Sequence, residues 1–302
     1  MIYKMFKSGF VSIIGQPNVG KSTFLNHVMG EKITITSHKP QTTRNTIRGI
    51  YNDDDSQIVF IDTPGIHDSK HKLGTYMTDS ALRTLNSVDL ILYMISGVEK
   101  MDAIDTMIIE RLRTINTPVF LVVNKIDITK DVNRLDEMIQ TFKAAHQFDG
   151  VFAISALQGT HTKLLLEDIK DRLEEGPKYY PDDMQTDHPE KFLIAERIRE
   201  KVLELTQEEV PHSVMVLIDS MDVDEETPHL LDIHASIVVE RDSQKGIIIG
   251  KGGRMIKQIG SRARKDILHL LGTKIFLDLH VKVIKDWRNK ELYLRNFGYK
   301  DE

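Results

Sequence analysis

Between residue 10 and about residue 173, the chain alternates short apolar runs with stretches where apolar positions recur every three or four residues. The runs are Phe10–Ile14, Ile58–Ile61, Leu90–Ile95, Val119–Val123 and Val151–Ile154. Residues 131–147 show the helical period, with Leu135, Met138, Ile139 and Phe142 on one face. Apolar runs spaced by amphipathic segments predict an α/β fold: a mostly parallel sheet with helices on both faces. The pattern stops at residues 174–190, which hold three of the nine prolines and no amphipathic period. We therefore expect one domain over residues 1–173, a linker over 174–190, and a second domain over 191–302 that ends in a C-terminal tail. In the second domain the pattern predicts a helix near 190–206, a strand Ser213–Ser220, an acidic turn Asp222–Pro228 and a strand Leu231–Glu240. A Gly-rich loop, a helix near 253–271 and a strand Lys274–Val283 follow. A short helix just before the loop would complete the α+β order αββααβ.

A length of 302 residues suits two domains of ordinary size, although length alone also allows one. The absence of cysteine removes disulfides and thiolate metal sites and fits a reducing compartment. No run reaches the ~18–20 apolar residues that a membrane span needs, and the N-terminal apolar stretch is too short for a secretory leader. A cytoplasmic location is expected. The net charge of −5 is unevenly distributed: residues 241–290 carry thirteen Lys or Arg against four Asp or Glu. A basic segment in an acidic chain is a candidate footprint for a polyanion.

Gly15-Gln16-Pro17-Asn18-Val19-Gly20-Lys21-Ser22 follows the first strand and opens a helix. Two glycines let the backbone turn sharply enough for its N–H groups to surround phosphate oxygens, at the positive end of a helix. Lys21 would reach the β- and γ-phosphates and Ser22 would bind Mg²⁺; Asn18, Val19 and Thr23 complete the contacts. Asp62-Thr63-Pro64-Gly65 ends its own strand, so Asp62 could hold Mg²⁺ and the Gly65 N–H could approach a γ-phosphate. In the polar stretch Pro40–Arg44, one threonine should close onto Mg²⁺, Thr43 being favoured and Thr42 the alternative. Asn124-Lys125-Ile126-Asp127 selects guanine, because a carboxylate accepts from both N1–H and the 2-amino group, and adenine offers neither donor on that edge. Asn124 would bond the base and tie loops together, Lys125 would lie over the ring, and Ala156 in Ser155-Ala156-Leu157 would donate to O6. Asp127 opposes a reading as an ATPase or kinase.

These five motifs, in this order, resemble those of the bacterial Era GTPases of the translation-factor-related class. The resemblance implies hydrolysis of GTP to GDP with Mg²⁺, with Lys21, Thr43, Asp62 and Gly65 in catalytic roles. Similarity to potassium-dependent relatives implies a K⁺ placed by Asn18. Ile66 stands where some GTPases carry a water-orienting Gln, so intrinsic hydrolysis is expected to be slow. Only one phosphate loop occurs, which separates the chain from tandem GTPases.

Arg241-Asp242-Ser243-Gln244-Lys245-Gly246-Ile247-Ile248-Ile249-Gly250-Lys251-Gly252-Gly253-Arg254 places G-x-x-G between an apolar run and a basic helix. A G-x-x-G loop beside an apolar groove is how a KH domain clamps single-stranded nucleic acid. Lys245, Ile248, Gly250, Lys251, Gly252, Gly253, Arg254, Lys257 and Arg262 are the candidate RNA contacts, with Arg264 and Lys265 adding charge. The segment resembles the type II KH domain of the Era family, and the likeness then spans essentially the whole chain. It implies binding of 16S rRNA near its 3′ end, assembly of the 30S subunit coupled to cell growth, peripheral contact with the cytoplasmic membrane, and a monomer. The alternative is a KH assembly protein whose nucleotide is mainly structural.

Three lesser features remain. His67 and His71 are four apart but sit in the loop after Gly65 and lack a third ligand, so a switch loop is preferred to a metal site. Asp53–Asp55 and Asp222–Glu226 look like hairpin tips. Trp287 could stack on a base, but packing under the C-terminal tail is preferred.

Overall fold

The computed structural model describes residues 6–69, 71–129, 131–207, 209–223 and 230–299. It divides into two compact units: residues 1–36, 43–70 and 74–187, and residues 37–42, 71–73 and 188–302. Among the described residues, no helix is long and apolar enough to cross a membrane.

In chain order the first unit contains β1 (Lys7–Ile14), α1 (Lys21–Met29), β2 (Ile47–Asn52), β3 (Ser56–Asp62), α2 (Lys72–Arg83, from residue 74 onward), β4 (Leu90–Ser96), α3 (Ala103–Leu112), β5 (Val119–Asn124), α4 (Val132–Ala145), β6 (Gly150–Ala153) and α5 (Thr162–Arg172). The sheet order is β2-β3-β1-β4-β5-β6, parallel except for the antiparallel pair β2 and β3. Alternation along the strands sends Val11, Ile13, Phe60, Leu92 and Val122 into a core on one face. Ile14, Tyr93, Ile95 and Val123 enter a second core on the other. After β1 the chain first builds on one side of it and then crosses to β4 on the other. This reversal opens a crevice at the C-terminal strand ends, where open α/β sheets take ligands.

The apolar runs anticipated every parallel strand but not β2. Its sequence Ile-Arg-Gly-Ile-Tyr-Asn is short and partly polar because it is an edge strand, formed as one arm of a hairpin with β3. The hairpin tip is Asp53–Asp55, where Asp53 Oδ1 accepts from Asp55 N and Ser56 Oγ. Residues 174–187 group with this unit. Gln57, fully buried, accepts from the Tyr179 and Tyr180 amides and donates to the Tyr180 carbonyl, while Ile50 N donates to Gln185 O at 2.8 Å. The β2 edge, which could otherwise pair with another chain, is covered by this segment.

The second unit contains α6 (Glu190–Leu205), α7 (Val210–Ser213), β7 (Met215–Val223), β8 (Leu230–Val239), α8 (Asp242–Ile249), α9 (Arg254–Leu271), β9 (Lys274–Val283) and α10 (Glu291–Asn296). Its sheet order is β7-β8-β9, with β7 antiparallel and β9 parallel to β8. Asp222 lies within β7; the rest of the anticipated acidic turn, from residue 224 on, falls outside the described residues. Helix α9 buries Ile259, Ala263 and Ile267, and α6 packs beside it. Lys201 on α6 pairs with Glu200, Glu204 and Asp266 at 2.9–3.1 Å. Arg199 is fully buried, held by Glu196 and by the carbonyl of Thr42, which this unit includes.

Trp287 packs rather than presenting a face to solvent. It is fully buried, stacks on Tyr299 at 6.2 Å and meets Phe297 edge-on, and its Nε1–H donates to Ser213 O at 2.9 Å. Trp287→Ala is expected to destabilise the second unit by about 3–5 kcal/mol. Because no other tryptophan is present, urea unfolding followed by circular dichroism is the measurement.

Candidate functional site

The phosphate-binding loop joins β1 to α1 at the crevice. Gly15 has φ +146°, and a Cβ built there would lie 2.1 Å from the Met94 carbonyl oxygen of β4, so no side chain fits. Asn18, at φ 63°, forms the exposed tip; asparagine enters this region more readily than most residues. Val19 is buried in the core, so only its backbone faces the loop. The buried Lys21 ammonium donates to Gly15 O at 3.1 Å and Gln16 O at 2.8 Å.

The Ser22 hydroxyl donates to Asp62 Oδ2 at 2.7 Å and lies 2.9 Å from Thr43 Oγ1. Thr42 instead donates to Lys39 O at 2.7 Å, so Thr43 is the threonine in this cluster. Asp62 is fully buried and its Oδ1 has no hydrogen-bond partner. Three oxygen-bearing side chains around an orphaned carboxylate oxygen fit a hard cation such as Mg²⁺. Burial pushes Asp62 up to about 6, against the pull of Lys21, Ser22 and Thr43, and brings Lys21 down to about 8, against the attraction of Asp62.

Beyond Asp62, Thr63 Oγ1 donates to Ile13 O at 2.7 Å, and Gly65 is packed so closely on Pro17 that a Cβ would come within 2.6 Å of its Cα. Ile66 is fully buried in the core with Ile14 and Tyr93, and its N–H donates to Gly15 O at 3.1 Å. Its side chain is a core plug facing away from the crevice chemistry. His67 Nδ1 lies 2.9 Å from the Gly65 carbonyl.

At the base-reading end, Asn124 spans two loops. Its Nδ2 donates to Val19 O at 2.8 Å and its Oδ1 accepts from Ala156 N at 2.9 Å. The Ala156 N–H, expected to point at a guanine O6, is thus bonded to Asn124, because the amide side chain lies between the loops. Lys125 adopts φ 69°, which turns the chain so that Asp127 is exposed, and Asp127 Oδ1 accepts from Ser155 Oγ at 2.6 Å. Thr23 is half-buried on α1 beside Ser22, and Leu157 is 76% exposed.

In the second unit, Gly250, Gly252 and Gly253 all take positive φ, and the helical turn Lys251–Gly253 leads into α9. A Cβ at Gly250 would come 2.7 Å from that of Met255, so the loop folds tightly onto the start of the helix. Lys251, Arg254, Lys257 and Arg262 are exposed and Lys245 is half-buried; Arg262 lies 3.8 Å from Glu204. Ile248, on the inner side of α8, is fully buried, and its exposed apolar neighbour is Ile247. A groove of about 510 Å³ runs between α9 and β9, lined by residues that include Ile256, Gly260, Arg264, Lys265, Phe276 and Leu279. The motif reading missed Phe276 and Leu279. Phe276 sits at a polar-face position of an alternating strand and is 51% exposed, a signal that was available in the sequence.

Residues 10–125 match the family described as 50S ribosome-binding GTPase, and residues 209–288 match the KH domain family. A solved structure of an Aquifex aeolicus Era variant bound to GDP and AlF₄⁻ is 40% identical, covers 98% of this chain and 100% of its own, and superposes with a TM-score of 0.94. The chain belongs to the Era family. A second solved Era, in complex with MgGDPNP and nucleotides 1506–1542 of 16S ribosomal RNA, is 40% identical over the same shares, with a TM-score of 0.95. The fold is accordingly that of Era: a GTPase domain followed by a KH domain.

The raised Asp62 gives a measurable sign. Between its ordinary 3.8 and about 6, the folded nucleotide-free chain holds a proton that the unfolded chain has released, so stability falls as pH rises across that window. Relative to Asp62→Asn, the wild type should lose roughly 2–3 kcal/mol between pH 4 and pH 6. Denaturant unfolding of both nucleotide-free proteins across that range is the check, and parallel curves would remove the assignment.

Proposed function

We propose that this Era-family chain is a GTP-hydrolysing switch that binds 16S rRNA near its 3′ end and acts in assembly of the 30S subunit. The observation that carries the reading is the solved complex of Era with MgGDPNP and nucleotides 1506–1542 of 16S rRNA, whose protein is matched along nearly all of this chain. A 16S partner also favours the small subunit over the 50S particle in the GTPase family's description. The functional division is a GTPase domain over 1–173, a connecting segment over 174–190 and the KH domain over 191–302. A cytoplasmic location with peripheral membrane contact, and a link to cell growth, follow from the family resemblance.

In this reading the loop N–H groups and Lys21 hold the phosphates, and Ser22, Thr43 and Asp62 hold Mg²⁺, which when bound neutralises charge developing on the phosphates. Bound phosphate would favour the Lys21 ammonium and bound Mg²⁺ the Asp62 carboxylate, each opposing the effect of burial on that group. Gly65 N–H and Thr43 respond to the γ-phosphate. With Ile66 buried, no side chain there orients water, so intrinsic turnover is slow and acceleration comes from backbone groups or a partner. Thr42, one residue before Thr43, is held by Arg199 in the second unit.

Two outcomes test this. Asp127→Asn exchanges two acceptor oxygens for one acceptor and one donor, so GTP affinity should fall at least ~100-fold and nucleotides of xanthine, whose 2-oxo group accepts, should gain; competition binding reads both. Single-stranded RNA with the 3′ sequence of 16S rRNA should bind with different affinity in the GDP and non-hydrolysable GTP states by fluorescence anisotropy. Equal affinities would refute the switch and leave an RNA-binding protein with a structural nucleotide.

A further inference from the structure

On the sheet of the second unit, β8 and β9 run parallel with His234 opposite Asp278 and Ser236 opposite His280. Alternation puts Asp232, His234, Asp278 and His280 on one face, opposite the buried Ile233, Ala235 and Ile237. Asp278 Oδ2 lies 3.4 Å from His234 Nδ1 and 3.0 Å from His280 Nε2, and one ligating atom from each of the three lies within 4.8 Å of the others. Ligands held ~2.0–2.1 Å from a tetrahedral ion stand ~3.4 Å apart. The His234–Asp278 spacing is already at that value, the His280–Asp278 spacing is 0.4 Å shorter, and His280, 63% exposed, has room to rotate to meet both.

The surroundings select the atoms. Asp232 Oδ1 is buried, has no hydrogen bond, and lies 3.2 Å from His234 Nε2, at ion-pair distance but without hydrogen-bond geometry. A proton on Nε2 would serve that carboxylate and leave Nδ1, 3.4 Å from Asp278 Oδ2, as the ligating nitrogen. A carboxylate behind a ligating imidazole is the usual support of a histidine–metal bond. The neighbouring Asp219 is already engaged by Ser236 and by Lys282, so it is not a competing ligand.

We propose that His234, His280 and Asp278 bind a borderline divalent cation of the Zn²⁺ type, with Asp232 as the positioning carboxylate. Two imidazoles and one carboxylate suit Zn²⁺, Co²⁺ or Ni²⁺ better than Mg²⁺, which prefers oxygen and retains water. The ion joins β8 to β9, the strand that forms one wall of the groove containing Phe276 and Leu279. Its effect is to stiffen that wall; it takes no part in phosphate chemistry.

The test uses untagged full-length protein saturated with Mg²⁺ and GDP, titrated with Co²⁺ as a spectroscopic probe and back-titrated with Zn²⁺. One equivalent of Co²⁺ should give tetrahedral ligand-field bands that Zn²⁺ abolishes, and Zn²⁺ should raise the unfolding temperature. His280→Ala, a change at an exposed position, and His234→Ala should each weaken binding at least ~100-fold and cancel the thermal shift. Asp232→Asn should weaken it ~10–100-fold, and His71→Ala should bind as wild type. Absence of micromolar Co²⁺ or Zn²⁺ binding to the wild type, or wild-type binding by His280→Ala, would overturn the site and leave the cluster as ion pairs between histidines and Asp278.

Discussion

A carboxylate and an ammonium held out of water at the ends of neighbouring strands govern the first unit. Asp62 closes β3 and Lys21 opens α1 after β1, and neither has solvent to stabilise its charge. Mutual attraction offsets only part of what burial costs, as the displaced values of both groups record. The arrangement is tolerable because a tight turn at Gly15, the Ser22 hydroxyl and Thr43 surround it with dipoles. It is incomplete because Asp62 keeps an unsatisfied oxygen. Such a site is stabilised most by a ligand that brings negative oxygens to Lys21 and a cation to Asp62 together, and magnesium-bound nucleotide is that ligand.

The second unit buries charge differently. Burial works against the Lys201 ammonium, yet bonds to Glu204, Asp266 and Glu200 hold its pKa above the ordinary value. Lys201 and its carboxylates answer one another within the protein, which is what a structural ion network requires. The contrast separates a pocket poised for a ligand from a helix packed for good.

The legibility of the chain followed physical scale. Parallel strands were readable because burial on both faces makes them continuous apolar runs, as in Leu90–Ile95. Strand β2 was not, since an edge arm such as Ile47–Asn52 needs apolar residues on one face only. The residues of the phosphate and base motifs were readable because phosphate and guanine demand particular atoms at particular spacings. Details that depend on which neighbour arrives first escaped: the Ala156 N–H bonded to Asn124, and Ile248 turned inward while Ile247 faced water. Phe276 was missed for another reason, namely that the groove lies between α9 and β9 rather than at the glycine loop.

The tie made by Asn124 carries a final consequence. A Cβ on Gly20 would fall 2.1 Å from Asn124 Nδ2, and that same amide also grips Val19 and Ala156. The phosphate loop and the base loop are therefore tied through this one side chain. A side chain at residue 20, already strained at φ 108°, would strike that amide and so disturb both the phosphate loop that holds it and the base loop more than a hundred positions downstream. Tolerance to mutation in this chain is accordingly set by shared side chains and cannot be inferred from distance along the sequence.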